Sequence, residues 1–324
     1  IKLSDGILQY SRISAKSAKK IAEIPIDATF GTLQEKQDTS PSIEPSFHDS
    51  NDIYNFEITT AEWAPSVKSR LRGTVSNGKV VISGGISSTD IPALEKVWQI
   101  YAMAAVIKYD EEGNYNLRLK IRDLTSKDRL TGSKLTAKNS AFLEQYAPLI
   151  GLQKFFNRYR PSGTSDLNLE ASGNLNYLHD SSISGKLTCR DISIEDRKFP
   201  YQINNIQGNI LFTESDLRLK NMKGRHNETD LVFSGWARDF GPDTAYDIQI
   251  SSSEMPLDKD LYQALPESQK SLWDDMTPEG SIRVTQHMKG EQGEKKTDIT
   301  VELLGVNTTT SIFPYTLKAL TANC

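Results

Sequence analysis

Cysteine is nearly absent. Cys189 and Cys324 are the only two in 324 residues, which excludes a disulfide framework and leaves too few thiols for a structural zinc site. Long apolar runs are missing too: the longest, Ile100–Ile107, falls far short of the roughly 20 residues needed to cross a bilayer as a helix. Neither sign of charge dominates. The 38 basic and 42 acidic residues are interspersed, for a net charge of -4, and give no basic stripe of the kind that neutralises a phosphate backbone. Nucleic acid is therefore not an expected partner. The histidines His48, His179, His226 and His287 lie in separate segments without metal-ligand spacing. No GxSxG elbow, GxxxxGK[ST] loop or GxGxxG turn occurs. His179-Asp180 and Arg225-His226 read as hairpin-loop pairs, and Asp274-Asp275 and Glu111-Glu112 as solvated turns or helix ends. No catalytic residue, metal or cofactor is expected.

The chain nevertheless folds. Its hydrophobic fraction of 37% and mean hydropathy of -0.48 suit a protein with much surface, not a disordered one. Starting at Ile1 and stopping at Cys324, it reads as a fragment with both ends cut. Residues 1–52 are the least legible part: Gln34–Asn51 has the composition of a solvated linker, and Lys16, Lys19 and Lys20 suggest a solvated helix face.

Beyond Trp63 the pattern turns to β. Leu71, Gly73 and Val75, then Asn77-Gly78, then Val80 and Ile82 predict a hairpin closed by a type I′ turn. Asp90-Ile91-Pro92 followed by Leu94, Val97, Trp98, Tyr101 and Ala105 predicts an amphipathic helix. Tyr115–Leu124 alternates as a strand. Ser140–Tyr159 has helical spacing interrupted by Pro148 and Gly151, and Pro161-Ser162-Gly163 closes it. A meander of strands follows, in which Leu167, Leu169 and Ala171, Leu187 and Cys189, Ile192 and Ile194, Ile210 and Phe212, Leu217 and Leu219, and Leu231 and Phe233 alternate with polar residues. One sheet face is apolar and the other wet. A second helical segment, Leu257–Met276, precedes Pro278-Glu279-Gly280, and Glu291–Lys296 reads as a polar hairpin tip. Trp98 and Trp273 fall on helical apolar stripes and read as core. Trp236 follows Ser234-Gly235 at a strand end and fits that reading less well.

Phe199-Pro200-Tyr201 with Ile203 and Ile206 recurs as Phe313-Pro314-Tyr315 with Leu317 and Leu320, each preceded by a helical segment, a Pro-x-Gly and strands. This internal repeat puts unit boundaries near 53, 140 and 257: an N-terminal segment with a linker (1–52), a β unit with a helix (53–139), a helix plus β-meander (140–256) and a helix plus truncated β unit (257–324). The predicted fold class is mainly β, as elongated antiparallel repeats forming a curved groove with amphipathic helical inserts.

The strands from Gly185-Lys186-Leu187 to Ile194, the Phe-Pro-Tyr element, Ile206-x-Gly208-x-Ile210, Leu217-x-Leu219, Gly224 and Ser234-Gly235-Trp236 resemble the AsmA-like, TamB-related family of bacterial envelope proteins and the bridge-like lipid-transfer proteins, over residues 60–324. Ala322 stands where Gly208 stands in the other copy, a departure from the pattern. The resemblance implies a periplasmic protein, tethered to the inner membrane by an anchor outside this stretch. Phospholipid or another acyl-chain lipid would be its partner, with envelope proteins as further partners, and its role would be lipid movement or outer-membrane assembly without catalysis. The groove residues would be Leu167, Leu169, Leu187, Ile194, Ile210, Phe212, Leu219, Leu231 and Phe233. The alternative is a structural or adhesive β-sandwich that binds a protein or glycan through its loops. A polysaccharide-active β-helix enzyme fits these long, helix-interrupted units less well.

Overall fold

The computed structural model describes residues 2–14, 17–32, 53–60, 67–91, 96–128, 158–177, 180–240, 243–291, 293–309 and 316–320, and places side chains over 53–59, 70–85, 102–125 and the described parts of 158–309. The protein is mainly antiparallel β, as the alternation predicts. It divides into two compact units, Ile1–Leu143 with Asp166–Gly185, and Glu144–Ser165 with Lys186–Cys324.

In the first unit β1 (Lys2–Ser14), β2 (Ser17–Thr32), β3 (Tyr54–Thr60), β4 (Val67–Ser76), β5 (Lys79–Ile91), β6 (Lys96–Tyr109) and β7 (Asn114–Asp128) each pair antiparallel with the next. Register makes the apolar face explicit. Phe56, Gly73, Ile82, Ala105 and Leu119 form one row across five strands, and Ile58, Leu71, Gly84, Met103 and Ile121 the next. Period-two geometry sends every member of a row to the same side. The opposite face carries exposed ion pairs, Arg72 with Glu57 and Arg118 with Glu170, which contribute little to stability.

Three local expectations are corrected. The helix predicted after Asp90 is strand β6. Its apolar residues repeat at a spacing that a helix could also use, but β-branched Val97, Ile100, Val106 and Ile107 lie between two strands that complete their backbone bonds; Pro92 and Leu94 lie outside the described residues. Lys19 and Lys20 lie on strand β2, not on a helix. At the Asn77-Gly78 hairpin only Gly78 has a positive φ, 69°, so the turn is not the type I′ form, which needs two.

The second unit contains most of β9 (Ser182–Asp196), then β10 (Phe199–Thr213), β11 (Asp216–His226), β12 (Thr229–Arg238), β13 (Ala245–Ser252), the two-residue β14 (Met255–Pro256), β15 (Glu279–Glu291), β16 (Glu294–Thr309) and β17 (Thr316–Leu320). Strand β8 (Ser162–Asn174) is divided between the units. Neighbours pair antiparallel, with β13 joining β15 past β14. The predicted second helical segment is a pair of helices, α1 (Lys259–Ala264) and α2 (Glu267–Met276). Asp258 caps α1 by accepting from the Leu261 amide at 2.9 Å; Pro266 separates the two helices. A hairpin forms at the predicted tip, but it is shorter than Glu291–Lys296: Glu291 pairs with Glu294, and Glu294, Lys295 and Lys296 belong to β16. Phe199 and Pro200 open β10 as expected of a proline at a strand start. In the second copy residues 313–315 lie outside the described residues, as do the segments Gln34–Asn51 and 140–157.

A Cβ at Gly73 would lie 2.1 Å from the Val81 carbonyl oxygen and 2.5 Å from the Phe56 ring. The Phe56 ring therefore occupies the space that the missing side chain leaves in the neighbouring strand. Gly73→Ala is expected to destabilise the protein by about 2 kcal/mol through overpacking, read as a lower urea midpoint. An unchanged midpoint would show that the ring can move aside.

Candidate functional site

The apolar face of the second unit is the candidate site. Cys189, Ile206, Met222, Leu231 and Phe233 are buried side by side, and Leu187, Ile192, Ile194, Ile203, Ile210, Leu219 and Ile250 pack half-buried around them. These residues come from β9 to β13. Ile210 pairs with Leu219, and Phe233 stands opposite Met222 on one side and Ile250 on the other.

Irregularities in the strands keep the face continuous, two of them marked by asparagines in the left-handed conformation. On β11 the apolar positions change from odd (Leu217, Leu219) to even (Met222, Gly224) at a register shift between Leu219 and Met222, where Asn221 has a φ of 53°. On β10 the change from Ile203 to Ile206 falls at Asn205, with a φ of 51°. Each bulge inserts a residue, so the apolar side chains beyond it stay on the same face, and it bends its strand. Asparagine tolerates the left-handed conformation that this requires.

Of the nine predicted groove residues, Leu187, Ile194, Ile210, Leu219, Leu231 and Phe233 meet in this one cluster. Phe212 extends the same row, half-buried opposite Leu217. Leu167 and Leu169 are half-buried on β8 beside the buried Ala171 and belong to the first unit. Simple alternation missed Met222, Ile206 and Ile250. The asparagines at 205 and 221 are the only sequence sign of the phase change that places the first two.

Helices α1 and α2 cover part of the face. Leu261 and Ala264 of α1 are buried with Tyr201, Met255, Ile282 and Val306, and Trp273 of α2 packs against this group. Trp273 is thus packed against the core, whereas Trp98 lies on strand β6. Away from the helices, cover decreases along a single strand: Leu303 and Val301 pack against the helix-covered group, while Ile299, two residues further on the same face, is 58% exposed.

Where α1 meets the sheet, the Tyr201 and His226 rings stack with centroids 3.7 Å apart. His226 donates from Nδ1 to the Gln202 carbonyl at 2.6 Å, leaving Nε2 to accept from Asn227 at 3.3 Å. Asn227 also donates to Asp260 on α1 at 3.2 Å. Burial, reinforced by the charge of Asp258, pushes the Tyr201 phenol up to about 12, so it stays a neutral packing group. The ring nitrogens of His226 are engaged with the backbone and a side-chain amide, and the Asp260 carboxylate lies 3.6 Å from Nε2. The cluster ties α1 to the sheet. Arg225-His226, expected in a hairpin loop, instead ends strand β11 and pairs with Asp230 and Thr229, the turn being Asn227-Glu228; His179 lies outside the described residues. No group of three or more His, Cys, Asp or Glu side chains that could hold a metal occurs among the described residues, and no helix there is long and apolar enough to cross a membrane.

No protein-family model, curated protein or solved structure matches the chain.

Cys189 sits inside the cluster at 6% exposure, and burial pushes its thiol from 9.0 up to about 11. It acts as a small apolar residue. With Cys324 replaced by Ala, Cys189 is expected to resist maleimide in the native protein at neutral pH and to react on unfolding. The proton linkage has a definite sign. Below the unfolded value both states keep the proton; between that value and about 11 only the unfolded chain loses it, so stability falls with rising pH across this window. Cys189→Val should flatten that part of the profile, and an unchanged slope would contradict the assignment.

Proposed function

We propose that this protein is a non-enzymatic lipid-binding segment whose apolar sheet face holds the acyl chains of phospholipid, within a bacterial envelope system that moves lipid between membranes or supports outer-membrane assembly. A periplasmic setting, with tethering to the inner membrane outside this stretch, belongs to the same reading and follows the AsmA-like resemblance. The observation that carries the proposal is the partial cover of the second unit's apolar face. The helices protect one region, while Leu187, Ile194, Ile210, Phe212 and Leu219 stay half-buried and Ile299 exposed.

An apolar sheet face must meet helices, another sheet or a ligand. Each acyl methylene removed from water on such a face contributes about 0.8 kcal/mol, so a dozen contacts would hold a lipid without a head-group motif. The affinity would be spread along the face and would not be fixed by any one residue, which suits a chain that slides. A carboxylate in its path would have to be desolvated at each passage.

A photo-crosslinking residue at Phe212 is expected to capture phospholipid in cells, whereas one at Gln249, exposed on the opposite face of β13, is not. Phe212→Glu should abolish capture from a crosslinker at Leu219, while Gln249→Glu should leave it intact. Equal labelling on both faces, or none at Phe212 in a folded protein, would favour the structural or adhesive sandwich.

A further inference from the structure

The wet face of β11 and β12 carries a feature that lipid holding on the opposite face does not use. Arg218, Lys220, Ser234, Trp236 and Arg238, with Leu219 and Gly235, line a shallow depression of about 370 Å³. None of these residues is acidic, in a chain with 42 acidic residues. Arg218 stands directly opposite Trp236 in the ladder. On the β10 side Arg218 and Lys220 face only Leu211 and Asn209.

The nearby carboxylates are already engaged. Asp216 pairs with Arg238 at 2.8 Å, and Asp247, opposite Trp236 on β13, accepts from His287 at 2.7 Å and lies 3.4 Å from the Lys289 ammonium. Arg238 thus has a partner and in addition lies over the Trp236 ring, 4.8 Å from its centroid. Arg218 and Lys220 form no ion pair among the described residues, nor does the Trp236 indole N–H meet an acceptor there. The lining residues Arg218, Lys220, Trp236 and Ser234 thus bring hydrogen-bond donors to a depression whose exposed wall is mainly hydrocarbon.

We propose that this depression binds a phosphate monoester. Arg218 and Lys220 hold the phosphate oxygens, and Trp236 with the 38% exposed Leu211 contacts the carbon portion of the ester. A phosphate fits better than a carboxylate because its tetrahedral oxygens can accept from several donors arranged around it, whereas a planar carboxylate is fully served by one bidentate arginine. The same chemistry is offered by a soluble phosphate ester and by a phosphatidic-acid head group. The site lies on the face opposite the acyl-binding surface, so the two readings succeed or fail separately.

The test uses the whole chain, with Trp236 fluorescence and isothermal titration as readouts. The probes are glycerol 3-phosphate, glucuronate, a short single-stranded oligonucleotide, and phosphatidylcholine vesicles with or without phosphatidic acid. Saturable binding of glycerol 3-phosphate, or of the phosphatidic-acid vesicles alone, is expected, and which of them binds identifies the source. Arg218→Ala and Lys220→Ala should each weaken it about tenfold, Trp236→Phe should remove the fluorescence change, and Phe212→Glu should leave binding intact. Binding that survives Arg218→Ala with Lys220→Ala overturns the proposal. So does glucuronate bound as tightly as the phosphate ester, equal binding of the oligonucleotide, or no binding to any phosphate probe.

Discussion

The alternation of side chains between the two sides of a strand is the constraint on which the rest of this structure depends. Once strands pair, each residue's face is fixed by its register, and one slipped residue would turn a whole apolar row toward water. In the first unit the constraint is met by straight rows, such as Phe56 through Leu119. In the second unit it is met across irregular strands, among them two bulges whose asparagines at 205 and 221 take the left-handed conformation. Without those insertions Met222 and Ile206 would face water and the buried cluster around Leu231 would lose its centre.

A face built in this way has to be covered, and the described residues of the second unit cover only part of theirs. Proline 266 splits the helical segment into α1 and α2, and Leu261, Ala264 and Trp273 close over the strands around Ile282 and Val306. The Tyr201–His226 stack and the Asn227–Asp260 hydrogen bond hold α1 at this place. The decline in cover from Leu303 to Ile299 along β16 marks where that protection ends. Lipid binding is proposed for the uncovered part because acyl chains supply the missing layer without requiring any fixed polar partner. The wet face, in turn, is free to carry charge, and the donor-lined depression beside Trp236 lies there.

Much of this was legible in the sequence wherever one-sided alternation was strict. Tyr115–Leu124 and the strands from Leu167 to Phe233 were read correctly because polar residues separate their apolar ones, and Leu257–Met276 because its apolar residues fall at helical spacing. The strand β6 was misread as a helix because an apolar run with Val97, Trp98 and Tyr101 satisfies both periods, and only the strands on either side decide between them. Strands β1 and β2 were missed: their mixed composition carries no clear period, and pairing with neighbours supplies what local pattern does not. At the candidate site six of nine residues came together. Leu167 and Leu169 belong to the other unit, a division made by long-range contacts that alternation does not encode.

The central claim is that the second unit's apolar face is open to a chain-like ligand. Single cysteines at Phe212 and Ile299, in a background with Cys189→Ala and Cys324→Ala, measure this most directly through maleimide labelling rates of the native protein. The account predicts labelling at a large fraction of the unfolded rate without lipid, and marked protection when phospholipid vesicles are added, while a cysteine at Gln249 is labelled equally in both conditions. Slow labelling at Phe212 and Ile299 in the absence of lipid would contradict it, because the face would then already be closed by protein.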